Sequence, residues 1–153
     1  MAQQSSTGKP RLAEGESLEG PSKTLTDAHF LSFSGLTGDV HPIHYDVEYA
    51  KQTRFGKPVA HGLMLASLTA LGASNGRERI DGFVLIEQGS RFLRPAVVGD
   101  TVKPKLLVEK IWREESRLMC RLKTTLTNQR GECLLDGFHV YRVLEDEAGG
   151  KAS

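Results

Sequence analysis

From Val59 to Gly76 the chain runs for 18 residues, VAHGLMLASLTALGASNG, without Lys, Arg, Asp or Glu. Leu63, Met64, Leu65, Leu68 and Leu71 do not keep to one helical stripe. With Ala66, Ala70 and Ala73 they cover most of the cylinder. A helix that is apolar on nearly all sides is buried on nearly all sides, so this stretch predicts a core helix enclosed by the rest of the chain. A membrane span is not indicated, because a bilayer needs roughly 20 apolar residues and Ser67, Thr69, Gly72, Ser74 and Asn75 interrupt this run. Gly76 stands where a helix stop is expected.

The remaining 135 residues must supply the enclosure. A chain of 153 residues supports one domain and buries about 70% of its unfolded surface, so it needs no disulfide or metal to hold it together. Net charge is +1, from 20 basic and 19 acidic residues, which gives no signal for nucleic acid or a membrane surface. Cys120 and Cys133 lie in apolar, strand-like runs and read as buried thiols. The N-terminus lacks the apolar core of a signal peptide, so a cytoplasmic location is the default expectation.

Taken in order, residues 1–20 are polar and rich in Gly and Ser, and predict a disordered or loosely attached tail. A single domain is expected over residues 21–145, followed by a polar tail at 146–153. Ser22–Leu25 suggests a short first strand. Thr26 can cap a helix carrying Phe30 and Phe33 on one face and ending near Gly35. A loop follows, and Asp46 then reads as the cap of a helix over Val47–Gln52. Beyond Gly76 the period changes. Phe83–Leu93 and Thr101–Trp112 read as strands, with Pro104 arguing for an edge or a bulge. Ser116–Thr127 alternates, with Leu118, Cys120, Leu122 and Leu126 opposite Arg117, Met119, Arg121 and Lys123. Asn128–Gly131 is a turn into a last strand over Glu132–Leu144. Helices followed by strands, with no βαβ alternation, indicate α+β with an antiparallel sheet curled round the central helix.

The chemistry concentrates in Thr37–His44, TGDVHPIH. Pro42 fixes its own φ and drives His41 out of the helical region, so this segment is a bent loop that can bring Asp39 and His44 together. A carboxylate and an imidazole in a partly dry pocket can hold one water between them and move its proton. At the start of the central helix, His61 and Gly62 lie where unpaired backbone N–H groups gather, and Gly62 lets a carbonyl oxygen approach closely. Each feature also has a plain structural reading. Asp39 can close an Asx turn, His44 can be a structural histidine, and Gly62 can mark tight packing. Asp39, His41 and His44 have a spacing compatible with a metal, but no further ligand with a clear spacing accompanies them. His29 and His139 are assigned no role. Arg91 and Arg94 read as solvated, or as contacts to charge on a ligand.

The stretch SGLTGDVHPIH (Ser34–His44), with Tyr45, Asp46 and Ala50, then PVAHGL (Pro58–Leu63), resembles the MaoC-like, (R)-specific enoyl-CoA hydratase family. Phe92–Pro95 and Gly99–Asp100 are similar to its later strand and turn, and the likeness spans about Thr26–Val143. The resemblance implies a hot-dog fold, a curved antiparallel sheet round one long helix. It implies Asp39 and His44 as the catalytic pair, and Gly62, with His61, as substrate-binding residues. It further implies an acyl-CoA thioester as substrate, no metal or other cofactor, and a homodimer or larger homo-oligomer with no nucleic-acid or membrane partner. Two positions depart from the pattern: His41 stands where the family usually has Asn, and Ala70 where some members have Ser. Acyl-CoA hydration or dehydration is the leading expectation, with a hot-dog thioesterase and a non-catalytic acyl-binding module as alternatives.

Overall fold

A computed structural model of the chain describes residues 11–145. Four long strands form the body of the sheet: β3 (Phe83–Phe92), β4 (Thr101–Glu114), β5 (Arg117–Thr127) and β6 (Cys133–Val143). With the short β1 (Ser17–Glu19) they are ordered β1-β4-β5-β6-β3, all antiparallel, and the two-residue β2 (Lys23–Thr24) also pairs with β4. The helices precede β3: α1 (Asp27–Thr37), α2 (Val47–Lys51) and α3 (Gly62–Ser67). This is the α+β arrangement that the order of elements predicts, and the antiparallel sheet against a central helix matches the hot-dog fold that the resemblance implies.

Alternation in β5 builds the enclosing face. Cys120, Leu122 and Leu126 are fully buried, as is Thr124 on the same face, whereas Lys123 and Arg117 are exposed. Pro104 sits inside β4 at no cost in pairing. Its carbonyl accepts from Gly20 N–H, so its nitrogen points to the same side, into the gap between β1, which pairs with Lys105–Leu107, and β2, which pairs with Thr101 and Val102. A β-carbon on Gly20 would lie 2.5 Å from the Pro104 ring, so glycine is what lets the two segments meet.

The central segment differs from the expectation. The α-helix covers only Gly62–Ser67, and a 3₁₀ turn at Leu71–Ala73 follows it. Ser67 Oγ donates to the Met64 carbonyl at 2.6 Å and Thr69 Oγ1 to the Ala66 carbonyl at 2.7 Å. These hydroxyls compete for helix carbonyls, and Ala70 adopts extended ψ, so the chain turns rather than winding on. Nor is the segment covered all round: Leu63, Ser67 and Ala70 face outward, with Leu63 70% exposed. Its inner side serves two apolar clusters. Met64 and Leu65 pack with Leu25, Phe30, Leu126, Leu134 and Leu135; Leu71 packs with Leu12, Leu18, Leu106, Leu122 and Tyr141.

The expected N-terminal tail is also corrected. Residues 11–20 are part of the domain, because Leu12 and Leu18 are buried in the second cluster and β1 extends the sheet along β4. Two buried leucines in an otherwise polar stretch were enough to anchor it. The first ten residues of that expected tail, and the polar tail at 146–153, lie outside the described residues. Both cysteines are unpaired; burial pushes the Cys120 thiol up to about 11, which keeps it inert. Among the described residues no helix is long and apolar enough to cross a membrane.

Candidate active site

The site begins where α1 stops. Gly38 takes a left-handed conformation (φ 79°) and its N–H closes on the Ser34 carbonyl at 2.8 Å. Helix α1 therefore runs past Gly35 to Thr37, the position at which glycine supplies the turn. Thr37 Oγ1 donates back to the Phe33 carbonyl and accepts from Asp39 N–H, which starts the loop. Asp39 Oδ1 accepts from His41 N–H at 3.4 Å, and His41 Nδ1 accepts from Ile43 N–H at 3.2 Å. Pro42 then opens a single 3₁₀ turn, Pro42–His44, after an extended His41. The turn is secured from outside by Val59 N–H, which donates to the Ile43 carbonyl. Asp46 caps α2 through Tyr49 N–H at 2.9 Å, as its place in the sequence predicts.

This folding points two side chains at each other. His44 Nε2 and Asp39 Oδ2 are 3.9 Å apart, with the imidazole 12% and the carboxylate 53% exposed. The Val59 carbonyl lies 2.7 Å from His44 Nδ1. A carbonyl only accepts, so Nδ1 carries the proton of the neutral ring and Nε2 presents its lone pair to the carboxylate. The gap is too long for a hydrogen bond. A water about 2.8 Å from each atom would see them about 90° apart, an angle water satisfies with its two O–H bonds. The Asx-turn reading of Asp39 also holds, on its other oxygen: Oδ1 braces the loop while Oδ2 stays available.

A third side chain completes the arrangement. His61, at the cap of α3, is 2% exposed and its ring stacks on His44, with centroids 3.6 Å apart and planes 20° apart. Its Nε2 lies 3.0 Å from Ser34 Oγ and 3.2 Å from the Asp39 carbonyl, so it carries a proton and holds that peptide in place. Burial pushes its pKa below the ordinary 6.5, with the Asp39 carbonyl pulling the other way and His44 adding to the fall. Its Nδ1 is buried without a partner. Thus His61, expected to touch substrate, lies in the interior and ties α1, the loop and α3 together. The sequence offered no signal for this, because Ser34, Asp39 and His61 meet only through the fold.

Residues 10–129 match the family model described as the MaoC like domain. The chain belongs to the MaoC-like domain family. It is 32% identical over 127 residues to the 3-hydroxybutyryl-CoA dehydratase of Methylorubrum extorquens, which covers 82% of this chain and 77% of that protein. It is 30% identical to the (R)-specific enoyl-CoA hydratase of Aeromonas caviae, over 80% of this chain and 89% of that one. The solved structure of the A. caviae (R)-hydratase superimposes with a TM-score of 0.76 at 29% identity, covering 87% and 98% of the two chains.

Within this MaoC-like domain, Asp39, His44 and His61 bring one ligand atom each within 4.8 Å of one another, and these rather than His41 are the group that could face a metal. The geometry is poor for one. A ring nitrogen's lone pair lies in the ring plane, and two nearly parallel planes stacked at 3.6 Å do not direct both lone pairs to a common point. His61 Nε2 is moreover protonated and engaged. Gly62 opens α3, and its N–H has no intramolecular acceptor among the described residues, as for any first-turn amide. The glycine also has a packing cause: a β-carbon there would lie 3.3 Å from the Phe92 ring. His41 fills the bracing role of an Asn, since its Nδ1 accepts from the amide two residues on, as an Asx oxygen does.

Proposed function

We propose that this MaoC-like domain is an acyl-CoA hydratase/dehydratase, adding water reversibly across the double bond of a 2-enoyl-CoA thioester. The observation that carries the reading is the 3.9 Å gap between Asp39 Oδ2 and His44 Nε2, with Nδ1 committed to Val59. Both facing atoms accept hydrogen bonds. A water between them directs both its hydrogens to the protein and turns a lone pair outward. Its oxygen bonds to the β carbon of the enoyl group, one proton passes to the pair, and the α carbon takes a proton from the same pair. Charge that develops on the thioester oxygen meets the free N–H of Gly62, an interaction worth about 3 kcal/mol in comparable sites. The reaction is not a redox step, and the residues supply acid, base and oxyanion donor, so we assign it no metal or other cofactor.

The same reading includes a homodimer. Among the described residues strand β3 is paired only with β6, which leaves its outer edge without a partner strand there, and Val84, Leu85, Ile86, Phe92 and Leu93 are 44–57% exposed. Phe92 lies against Gly62, which makes this apolar edge continuous with exposed Leu63. An open, apolar edge of ten residues is a surface that a second copy would cover. The two unpaired cysteines suit a reducing compartment, and we assign the enzyme to the cytoplasm.

The test is a panel of enoyl-CoA thioesters, starting with crotonyl-CoA, followed by loss of enoyl absorbance alongside free-thiol release. Loss of absorbance without thiol release is expected. Thiol release from saturated acyl-CoA with no hydration would make the domain a thioesterase, and binding without either reaction would make it an acyl-binding module.

A further inference from the structure

Asp100 is a buried carboxylate to which the chemistry above gives no part. It is 3% exposed and lies in the turn between β3 and β4. A turn needs no charge inside it, and taking a carboxylate out of water is costly unless donors surround it. Here they do. Val97 N–H donates to Oδ2 at 3.0 Å, Gln129 Nε2 donates to Oδ1 at 3.2 Å, and Arg130 reaches Oδ1 at 3.5 Å. Gln129 is itself oriented, because its Oε1 accepts from Thr101 N–H at 2.9 Å.

These bonds lead back to the reaction centre through two strips of backbone. Asp100 N–H donates to the Val97 carbonyl at 3.1 Å, so Asp100 takes up both backbone groups of Val97. Val97 stands opposite Val59 in an isolated antiparallel bridge, beside which Ala60 N–H donates to the Ala96 carbonyl at 2.8 Å. In a pair of that kind the two residues turn their own N–H and C=O groups away from each other. Val97 turns its groups to Asp100. Val59 turns its groups to the Pro42–His44 turn: its N–H donates to the Ile43 carbonyl at 3.2 Å, and its carbonyl accepts from His44 Nδ1 at 2.7 Å. Val59, Ala60 and Ala96 are all buried, so little water is at hand to take over these bonds.

We propose that Asp100 is a positioning residue for His44. It fixes Val97, Val97 seats Val59, and the Val59 carbonyl holds the imidazole proton on Nδ1. Its part in turnover rests on the hydratase reading. The place of that proton matters because Nε2 and Asp39 Oδ2 must both be acceptors if a water between them is to give each a hydrogen. If the Val59 carbonyl shifts, Nδ1 loses its acceptor. The proton is then better placed on Nε2, facing the Asp39 carboxylate 3.9 Å away. Nε2 then donates to the carboxylate directly, in place of the water. The plain alternative is that Asp100 only joins its own turn to the β5–β6 turn and stabilises the fold.

The experiment follows the His44 ring nitrogens by NMR in histidine-labelled protein above about pH 8, where imidazoles are neutral, with His44→Gln to assign them. Wild type should show the proton on Nδ1. Asp100→Ala should bring in a population with the proton on Nε2 and lower kcat about tenfold, with KM little altered. Asp100→Asn keeps an oxygen for Val97 N–H and should recover the wild-type tautomer and much of the rate. Gln129→Ala/Arg130→Ala changes two exposed turn positions and leaves the core untouched. It removes the side-chain donors to the carboxylate, so both readouts should move the same way, kcat by about threefold. Val108→Ala, in the second apolar cluster, controls for stability: the melting temperature should fall with tautomer and kcat intact. Wild-type tautomer and kcat in Asp100→Ala, or in the turn double variant should Asp100→Ala not fold, would overturn the proposal and leave Asp100 a link between turns. So would an equal change of tautomer and kcat in Val108→Ala. The tautomer needs no turnover: a wild type without hydration activity would sink the hydratase reading, and the spectra would still decide whether Asp100 holds His44.

Discussion

His61 and His139 are both buried, at 2% and 4% exposure; His61 caps the start of α3, and His139 contacts Thr69 just beyond its end. Burial pushes the pKa of each below the ordinary 6.5. Their surroundings differ. His61 stacks at 3.6 Å on a second imidazole, bonds a backbone carbonyl at 3.2 Å, and reaches solvent through Asp39. His139 faces Thr69 Oγ1 at 3.3 Å and Tyr141 Oη at 3.4 Å, long contacts in a sealed core where burial also pushes the Tyr141 phenol up to about 12. The difference lies in what each histidine holds: His61 bonds the backbone of a loop whose Asp39 carboxylate is half-exposed, and His139 bonds only groups in the core. One end of the segment positions a loop; the other fills the interior with polar groups that satisfy each other.

The sharpest break between the two ends is in turnover. Asp39→Asn and His44→Ala should each lower the hydration rate by about 100-fold or more, the ordinary scale for a lost acid/base group. His139→Gln should leave the rate within a few-fold. Steady-state rates on one accepted enoyl-CoA settle the matter, with circular dichroism to verify folding. A comparable loss in His139→Gln would mean the sealed end takes part in the reaction.

His61 should fall between these extremes, since it acts through Asp39 and His44. His61→Ala removes the stacked ring and leaves Ser34 Oγ and the Asp39 carbonyl without their donor. Turnover is expected to drop about tenfold, with about 2 kcal/mol of stability lost to the cavity and the unpaired groups. The effect should be on kcat more than KM. His61→Gln, which can still donate to the Asp39 carbonyl, should recover part of the rate. A pure stability loss with unaltered kcat would reduce His61 to packing.

Both ends should share one pH response. The unfolded chain takes up protons at these histidines near the ordinary 6.5 and the folded chain only at lower pH. Between those values the unfolded state binds more protons, so the stability they contribute is present above about pH 6.5 and declines as pH falls below it. The slope is at most about 1.4 kcal/mol per pH unit per histidine. Urea midpoints measured from pH 7.5 to 5 should show the decline, and His139→Gln should make it shallower.

Much of this was readable in the chain, and the misses have physical causes. The Asp46 cap, the alternation of β5 and the bent loop rest on neighbours in sequence, and each appears as expected, save that Met119 is buried on the face of β5 it shares with Arg117 and Lys123. The length of the central helix does not. Its apolar composition is satisfied equally by a short helix and a turn, and the choice was made by Ser67 and Thr69 bonding backward. The burial of Leu12 and Leu18 likewise depends on which strand edge is free to receive them. The Ser34–His61–Asp39 contact joins residues up to 27 apart, and no local pattern carries it.

The smallest effect is at His41, where local pattern and fold meet. Its Nδ1 accepts from Ile43 N–H, and its ring packs edge-on to Tyr49 with centroids 5.6 Å apart. Asn offers the same acceptor at the same distance along the backbone, so His41→Asn should change kcat by no more than about twofold while losing the Tyr49 contact. His41→Ala removes the acceptor as well, at a cost of about 1 kcal/mol, the usual value for a cap, and lets the loop that carries Asp39 relax. Thermal melts and kcat for the two variants separate bracing from ring packing. If His41→Asn is as slow as His41→Ala, the ring itself matters to the pair beside it, and the position is more than a brace.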